Sequence, residues 1–392
     1  MKIVFVKAYD YPVGGAPQNR SICICKGLIE QSHEVEVHVY APAKMNIDLN
    51  LLKTQVYQGV RIYNHAWRWS PSKSRLQQYL GIVEGLSKTM IALYKSNRRK
   101  KIDYIFMGAH KNMYIFPIFV LTKLFGAKLG RGLSEYPISL LMKNKYFWFK
   151  HKYRMLTNYR WYDVVYIMTH KLEEYYRPFL KKKSKILHLP MTVDFDRFPY
   201  PSTDFIQSKY ITYCGDLSQK KDGVLTLIES FANVKDEFSE LKLRLIGNNN
   251  DEKYMTLLRQ HIDKHGVLDR VILTGYVNPN DIPDELYKSR LLVLARPDNL
   301  QAAGGFPTKL GEYLATGIPV VVTKVGEIPV YLKDGINAYV AEPDNIRSIT
   351  ETIIRALDDN NSYEVGLAGR NTAMQYFSHS VQGKYLSEFL SL

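Results

Sequence analysis

Cysteine is scarce in this 392-residue chain: Cys23, Cys25 and Cys214 are the whole set. They form no CxxC pair and have no metal-type His spacing beside them. Neither a disulfide framework nor a zinc site is supported, and three small core residues are expected. Long apolar runs are missing as well. Nothing approaches the roughly 18 residues that a membrane helix needs; residues 113–125 are interrupted by Pro117, Thr122 and Lys123 and read as a buried helix. Only Ile3, Val4, Phe5 and Val6 precede Lys7, too short a run for a signal peptide, so the protein is expected to stay in the cytoplasm. There is no GxGxxG and hence no case for NAD, and no GxxxxGK[ST] and hence none for a Walker ATPase. No short-period repeat or low-complexity tract occurs, and the length suits two domains with separate cores.

Acidic residues are in deficit. Against 53 Lys plus Arg stand 38 Asp plus Glu, a formal net charge of +15. Residues 1–200 hold 33 basic and 13 acidic side chains, the remainder 20 and 25. A basic half joined to a mildly acidic one predicts that the N-terminal part faces an anionic partner: a membrane surface, a polyanion or a phosphorylated acceptor. In residues 143–161, Lys143, Lys145, Lys150, Lys152, Arg154 and Arg160 interleave with Tyr146, Phe147, Trp148, Phe149, Tyr153 and Trp161. That composition suits an amphipathic element at an anionic membrane interface, and a second basic run, NRRKK, ends at Lys101. A partly buried helix with a solvated basic face is the competing reading. Such interleaving also fits nucleic acid, but no nucleic-acid motif accompanies it and no such partner is expected.

What the chain does have is alternation. KIVFVKAY, the loop DYPVGGAP and the apolar positions Ile22, Ile24, Leu28 and Ile29 read as strand, glycine loop and helix. Strands follow at EVEVHVY, VRIYNH, DYIFMG, AKLGRG, DVVYIM and KILHLP, with helical stretches between them, one over residues 75–97. Such alternation implies parallel strands with right-handed crossovers. PMTVDFDRFPYPSTD lacks periodicity and suits a linker. A second series comprises YITYCG, LKLRLIG, VILTGYV, LLVLAR, PVVVTK and AYVAEP, before a helical tail. The expected fold class is α/β, with two Rossmann-like doubly wound domains over 1–190 and 207–370, a linker over 191–206, and C-terminal helices over 371–392 packing back across it.

The most informative segment is GGFPTKLGEYLATGIPVVVTKVGEIP. Gly304 and Gly305 loosen the chain, Pro307 suits a first helical position, and a helix is expected from about Phe306 to Gly317. A helix that starts after a glycine pair presents free N–H groups and the positive end of its dipole, a natural phosphate site. Thr308 and Glu312, four apart, share a face. Thr308 is placed to hold a phosphate, Glu312 to accept from a ribose diol, and Lys309 to add a cation. A capping loop with a solvated Glu is the bland alternative. It loses ground because YCGDLSQKKDGVLTLI, with Gly215, Lys220 and Lys221, supplies a second strand-end loop of the kind a pyrophosphate between two loops requires.

At this point the chain resembles glycosyltransferase family 4, retaining enzymes of the GT-B fold. The likeness runs through VGGAPQNRSICICKGLIEQSHEVEV, VDFDRF, GDLSQKKDGVLTLIESF, LRLIG, VILTGYV and GFPTKLGEYLATGIPVVVT, covering nearly the whole length. It implies that Glu312 binds the nucleotide ribose and that Lys221 contacts the pyrophosphate. It also implies that Gly304, Gly305, Phe306, Pro307 and Thr308 cradle sugar and phosphate, that Gly247 is the strand-end glycine, and that the backbone at Tyr276 and Val277 borders the base. Two positions depart from the family pattern: Gly304 stands where a glutamate is usual, and Asp216 where an arginine often follows the glycine at Gly215. Arg296 or Lys309 is then the replacement cation. The wording around Glu312 resembles a branch associated with bacterial surface polysaccharides.

In the first domain, Gly14 and Gly15 follow the first strand and let backbone approach the donor. An ordinary turn before a helix is the alternative. Lys221, Lys309 and helix N–H groups would meet the leaving diphosphate, and the resemblance implies retention of configuration. His110 and Glu135 are the candidates to hold the sugar and orient the acceptor. DFD in the linker looks like a metal-binding DxD, but VDFDRF matches the family linker, so no metal ligand and no cofactor beyond the nucleotide-sugar donor is expected. A UDP-sugar is favoured over a GDP-sugar, with a glycan or lipid-linked acceptor. A sugar-nucleotide 2-epimerase and a catalytically weak pseudo-transferase scaffold are the alternatives.

Overall fold

The computed structural model describes the chain apart from residues 45–46, 69–73, 110, 138–144 and 202–204, and within the helix Lys145–Asn158 apart from the side chains of residues 145, 147, 148, 150 and 151. Two compact units result. One is Met1–Thr192 with His379–Leu392, the other Val193–Ser378.

The first unit is an eight-stranded sheet of β1 (Lys2–Lys7), β2 (Glu34–Val39), β3 (Thr54–Tyr57), β4 (Val60–Asn64), β5 (Tyr104–Met107), β6 (Lys128–Leu133), β7 (Val164–Ile167) and β8 (Lys185–His188), in the order β3-β4-β2-β1-β5-β6-β7-β8. The central strands are buried on both faces, as parallel strands under crossover helices are. One pairing departs from the expected parallel pattern: β3 runs antiparallel to β4. Its TQVY alternates exposed and half-buried positions. The turn into β4 has positive φ at both Gln58 and Gly59, which matches a tight hairpin.

The helix Ala16–Glu30 follows β1, and the C-terminal helix His379–Ser391 packs along it. The contact is a glycine crossing. A Cβ on Gly27 would fall 2.0 Å from the His379 carbonyl oxygen, and one on Gly383 would fall 2.2 Å from the Gly27 carbonyl carbon. Tyr104 Oη donates to the Leu390 carbonyl at 2.5 Å. The preceding helix Ser362–Phe377 belongs to the second unit, so only His379 onward joins the first, later than the tail boundary the sequence suggests. The helix Asn112–Phe125 is amphipathic and not buried throughout: Met113, Phe116, Val120 and Leu124 are exposed, while Ile115, Ile118 and Leu121 are buried. Cys23 and Cys25 are buried, and Cys214 in the second unit is half-buried.

The second unit has β9 (Tyr210–Cys214), β10 (Lys242–Ile246), β11 (Val271–Gly275), β12 (Leu291–Leu294), β13 (Val320–Thr323) and β14 (Tyr339–Ala341), in the order β11-β10-β9-β12-β13-β14, with every pairing parallel. Much of the expected linker belongs to this unit. Val193 donates to the Phe377 carbonyl at 2.8 Å, and Phe195–Arg197 form one turn of 3-10 helix capped by Asp194.

Candidate functional site

In the second unit the winding direction reverses between β9 and β12. Doubly wound sheets bind ligands outside the carboxyl ends of the strands at such a switch point, and here the loops leaving those strands are tied together. Asn299 caps the short helix Leu300–Gly304 by accepting from the Ala302 N–H at 2.9 Å, and its amide nitrogen donates to the Lys220 carbonyl at 2.8 Å. Gly223, at φ +70°, lies so close to the end of β12 that a Cβ would fall 1.8 Å from the Ala295 carbonyl oxygen. One strand over, the Gly215 N–H donates to Ile246 at 2.8 Å, and a Cβ on Gly247 would fall 1.9 Å from the Gly215 carbonyl oxygen. Bare backbone therefore lines the ends of β9 and β10.

Beneath Gly215 lies a buried ion pair. Lys309 Nζ is 2.6 Å from Asp222 Oδ2 and 2.8 Å from Tyr213 Oη, and a Cβ on Gly215 would collide with that ammonium at 2.1 Å. The Tyr213 hydroxyl has two acceptors for its single proton, the Asp216 carbonyl at 2.6 Å and Asp222 at 2.9 Å. Burial lowers the Lys309 pKa, opposed by the Asp222 carboxylate, and burial beside Asp222 raises Tyr213 well above the ordinary phenol value. Lys309 is thus already neutralised by a partner, where the sequence suggested a cation held ready for a ligand.

The helix Thr308–Ala315 starts two residues later than expected. Pro307 is its N-cap, and Gly304 closes the separate helix Leu300–Gly304. The first N–H groups of the helix, those of Thr308 and Lys309, meet no acceptor among the described residues. Glu312, one turn on, accepts from Arg197 Nη1 at 2.7 Å. The other arginine nitrogen of the fork reaches the Pro279 carbonyl, in the loop that also carries Tyr276 and Val277. Arg197 so links the proposed ribose carboxylate to the proposed base-bordering loop, where the Tyr276 side chain is 76% exposed. Tyr313 fixes the helix to β9: its hydroxyl accepts from the Cys214 N–H at 2.6 Å and donates to the Cys214 carbonyl at 3.0 Å.

Two expectations change in kind. Phe306 is buried edge-on to Tyr331 and packed on Phe377, so its ring anchors the loop in the core and only its backbone can meet a ligand. Arg296 is 4% exposed and donates to the Gln301 carbonyl at 3.2 Å, below the Gly305 backbone, which makes it a brace for the glycine segment and not a surface cation. Lys220 is exposed and Lys221 half-buried; Lys221 lies near enough to Lys309 to help lower its pKa.

In the first unit the switch point falls between β1 and β5. Gly15 caps the helix Ala16–Glu30, its N–H donating to Gln18 Oε1 at 3.2 Å, while Gln18 covers Gly14 and donates to the Asp10 carbonyl at 3.0 Å. Arg20, on the same helix, is buried, stacks over Tyr166 and donates to Ser134 Oγ at 2.7 Å, beside Glu135. The Glu135 side chain is exposed, and its carbonyl accepts from Tyr176 Oη at 3.0 Å. His110 lies outside the described residues. Lys7, at the end of β1, was not singled out from sequence; burial lowers its pKa to about 8. Arg197, Asp222 and Tyr213 were also missed. Arg197 lay in plain view in VDFDRF, but nothing local shows that it pairs with a residue 115 positions away.

Residues 201–366 match the family described as glycosyl transferases group 1. The match covers 166 of the 392 residues and lies within the second unit. Its sequence is 26% identical over 217 residues to the GDP-mannose-dependent alpha-(1-6)-phosphatidylinositol monomannoside mannosyltransferase of Mycolicibacterium smegmatis, covering 52% of this chain and 56% of that one. It is 27% identical over 200 residues to mannosylfructose-phosphate synthase of Agrobacterium fabrum, covering 46% and 42%. The chain therefore spans about half the length of the curated relatives it matches. Among solved structures it resembles Anabaena Alr3699/HepE in complex with UDP and glucose, with a TM-score of 0.72 at 17% identity over 100% of this chain and 99% of that one. Sucrose-phosphate synthase from Thermosynechococcus elongatus gives 0.74 at 14% identity, over 100% and 98%. The fold is GT-B, with two Rossmann-like units. Among the described residues no helix is long and apolar enough to cross a membrane.

Proposed function

We propose that the chain is a retaining glycosyltransferase that moves a sugar from a nucleoside diphosphate sugar to a glycan or lipid-linked glycan in surface polysaccharide synthesis. One observation carries this reading: at the β9/β12 switch point, the glycine-lined strand ends, the open N–H groups of Thr308 and Lys309, and Glu312 with Arg197 all belong to one unit and to the family-matched segment. Backbone N–H groups and the dipole of the helix Thr308–Ala315 would hold the diphosphate. Glu312 would take the ribose, and Lys221 would meet charge developing on the leaving group. UDP is the favoured carrier because the Anabaena neighbour is a complex with UDP; the mycobacterial relative is GDP-mannose-dependent, which keeps GDP as the second choice.

The protein would act at the cytoplasmic face of the cell membrane. Support comes from the basic first half and from an exposed apolar row, Met113, Phe116, Val120 and Leu124, on a helix joined to Lys145–Asn158 through Asn112 and Thr157 at 2.7 Å. Tyr146, Phe149 and Tyr153 are exposed on that second helix. Trp161 does not share this surface role, because it packs on Phe116 and Phe119. Lys143 lies outside the described residues, as do the side chains of Lys145, Phe147, Trp148 and Lys150.

Incubation with a panel of UDP- and GDP-sugars and lipid-linked or oligosaccharide acceptors, read by nucleotide release and by anomeric configuration of the product, tests the reading. Transfer with retention is expected. Release of nucleotide with a 2-epimeric free sugar, or no turnover with tight nucleotide binding, would replace it with the epimerase or the scaffold.

A further inference from the structure

Glu229, on the helix Val224–Val234, faces His261 and His265 at the end of the neighbouring helix Glu252–Lys264. The two histidines are four residues apart and therefore share a helix face. Their rings lie 4.5 Å apart, inclined at 50°. Nε2 of His261 is 3.0 Å and Nε2 of His265 3.9 Å from the same Glu229 oxygen, and the three atoms lie within 4.8 Å of one another. We propose that these three side chains form a binding site for a transition-metal ion of the zinc class.

Three observations favour a metal over a plain hydrogen-bonded cluster. Zinc holds nitrogen and oxygen at about 2.0–2.2 Å in a tetrahedron, which sets neighbouring ligand atoms about 3.4 Å apart; the two measured separations straddle that value. Both Nε2 atoms are closed off from solvent, yet neither makes a hydrogen bond of proper geometry, even where the distance to the carboxylate is only 3.0 Å. Without an ion, the cluster would carry the cost of unpaired buried nitrogens. The His261 ring also bonds to the Leu225 backbone, the kind of outer contact that orients a ligating imidazole.

The chemistry is structural. Three protein ligands leave a fourth position for water, and the ion would join two helices, the first of which begins immediately after Gly223 in the β9 loop. The site is independent of the transferase reading, since none of its residues belongs to the proposed donor site.

The full chain, stripped with a chelator, would be titrated with Zn²⁺ alone by calorimetry, and with Co²⁺ by its visible absorption. One equivalent is expected to bind with Kd in the micromolar range or below, to give the intense visible bands of a tetrahedral cobalt site, and to raise Tm by about 5 °C at a hundredfold excess over Kd. The His261→Gln/His265→Gln pair should lower affinity at least about 100-fold, and Glu229→Gln about 10-fold or more. Circular dichroism would establish that each variant is folded, and Glu229→Gln alone keeps the test open if the double variant is not. Wild-type protein that binds no metal, or a stoichiometry and affinity untouched in folded variants, would overturn the proposal by leaving the triad a hydrogen-bonded cluster or placing the metal elsewhere.

Discussion

Lys309→Met tests whether this lysine is an internal counter-ion or a hand extended to the ligand. Asp222 is 1% exposed and its Oδ1 has no hydrogen-bond partner, so Lys309 supplies the only ion pair to that carboxylate among the described residues. Methionine preserves the stem and deletes the charge, leaving a buried carboxylate with one phenol for support. Breaking a buried pair in this way costs about 3–5 kcal/mol, whereas replacing both members by apolar residues is often near neutral. With a urea m-value of about 2–3 kcal/mol/M for a domain of this size, the midpoint of the transition that melts the second unit should fall by about 1–2 M. Asp222→Leu should do similar damage by stranding the ammonium, and Lys309→Met/Asp222→Leu should recover most of the loss. Equilibrium unfolding would be followed together with hydrogen exchange of the helix Thr308–Ala315, because two units need not melt in one step. Single variants each within about 1 kcal/mol of wild type, with an additive double variant, would refute the reasoning and return Lys309 to the ligand.

Glu312→Gln should weaken UDP and GDP by about 1.5–3 kcal/mol, as for a charge-assisted hydrogen bond; unchanged calorimetric affinity for both would remove Glu312 from the site. Lys221→Ala should lower turnover and nucleoside diphosphate affinity while leaving uridine and guanosine unaffected, and equal loss for the nucleosides would mean the lysine merely supports its loop. In acid, Tm should fall in two overlapping stages. Burial holds His65 down to about 3, and Glu36, which burial alone would raise, is held at about 2 by His38, Ser96 and Lys2. Both groups bind fewer protons folded than unfolded, so the stability they contribute is complete above pH 6.5 and is lost from about 6.5 to 3 for His65 and from about 4.5 to 2 for Glu36. His65→Phe should flatten the limb between pH 6.5 and 4.5, and an unaltered slope would contradict the assignment. Cosedimentation with anionic vesicles should exceed that with neutral ones and decline with salt as the Debye length shrinks from about 10 Å at 0.1 M to 3 Å at 1 M. Phe116→Ser with Phe149→Ser should abolish the salt-resistant part, and equal recovery on neutral vesicles would sink the membrane reading.

Among the described residues, thirteen of the fourteen strands fall in segments that read as strands, most plainly the buried parallel ones such as IVFV in β1 and VVVT in β13, whose continuous apolar runs need no alternation. The exception, β3, is four residues of mixed polarity at a sheet edge, where no burial imposes a pattern. Positions that depend on backbone were equally legible: a glycine at a strand end, such as Gly215 or Gly247, declares a close approach that any side chain would block. What the sequence hid was pairing. Lys309 reads as a free cation until Asp222, 87 residues earlier, is seen against it, and Phe306 reads as part of a ligand loop until Tyr331 and Phe377 enclose it. Charge and ring identity are local, but partners are set by the crossovers.

The pairing narrows the question raised by Asp216 and Gly304, two places where the family's usual charges are missing. Asp216 has a structural role: its carboxylate accepts from Asn249 at 3.1 Å, which ties the β9 loop to the β10 loop, and its carbonyl takes up the Tyr213 hydroxyl. Of the cations near the switch point, Arg197 is engaged with Glu312 and Pro279, Arg296 with the Gln301 carbonyl, and Lys309 with Asp222. Lys220 and Lys221 are in no ion pair among the described residues, and only Lys221 is half-buried, on the side of the loop that influences Lys309. A diphosphate at the N–H groups of Thr308 and Lys309 would therefore depend on backbone dipoles and one partly desolvated lysine. That is a weaker electrostatic clamp than a site with an added arginine, and it implies that the loss of Lys221 should be felt more severely here than where a second cation shares the charge.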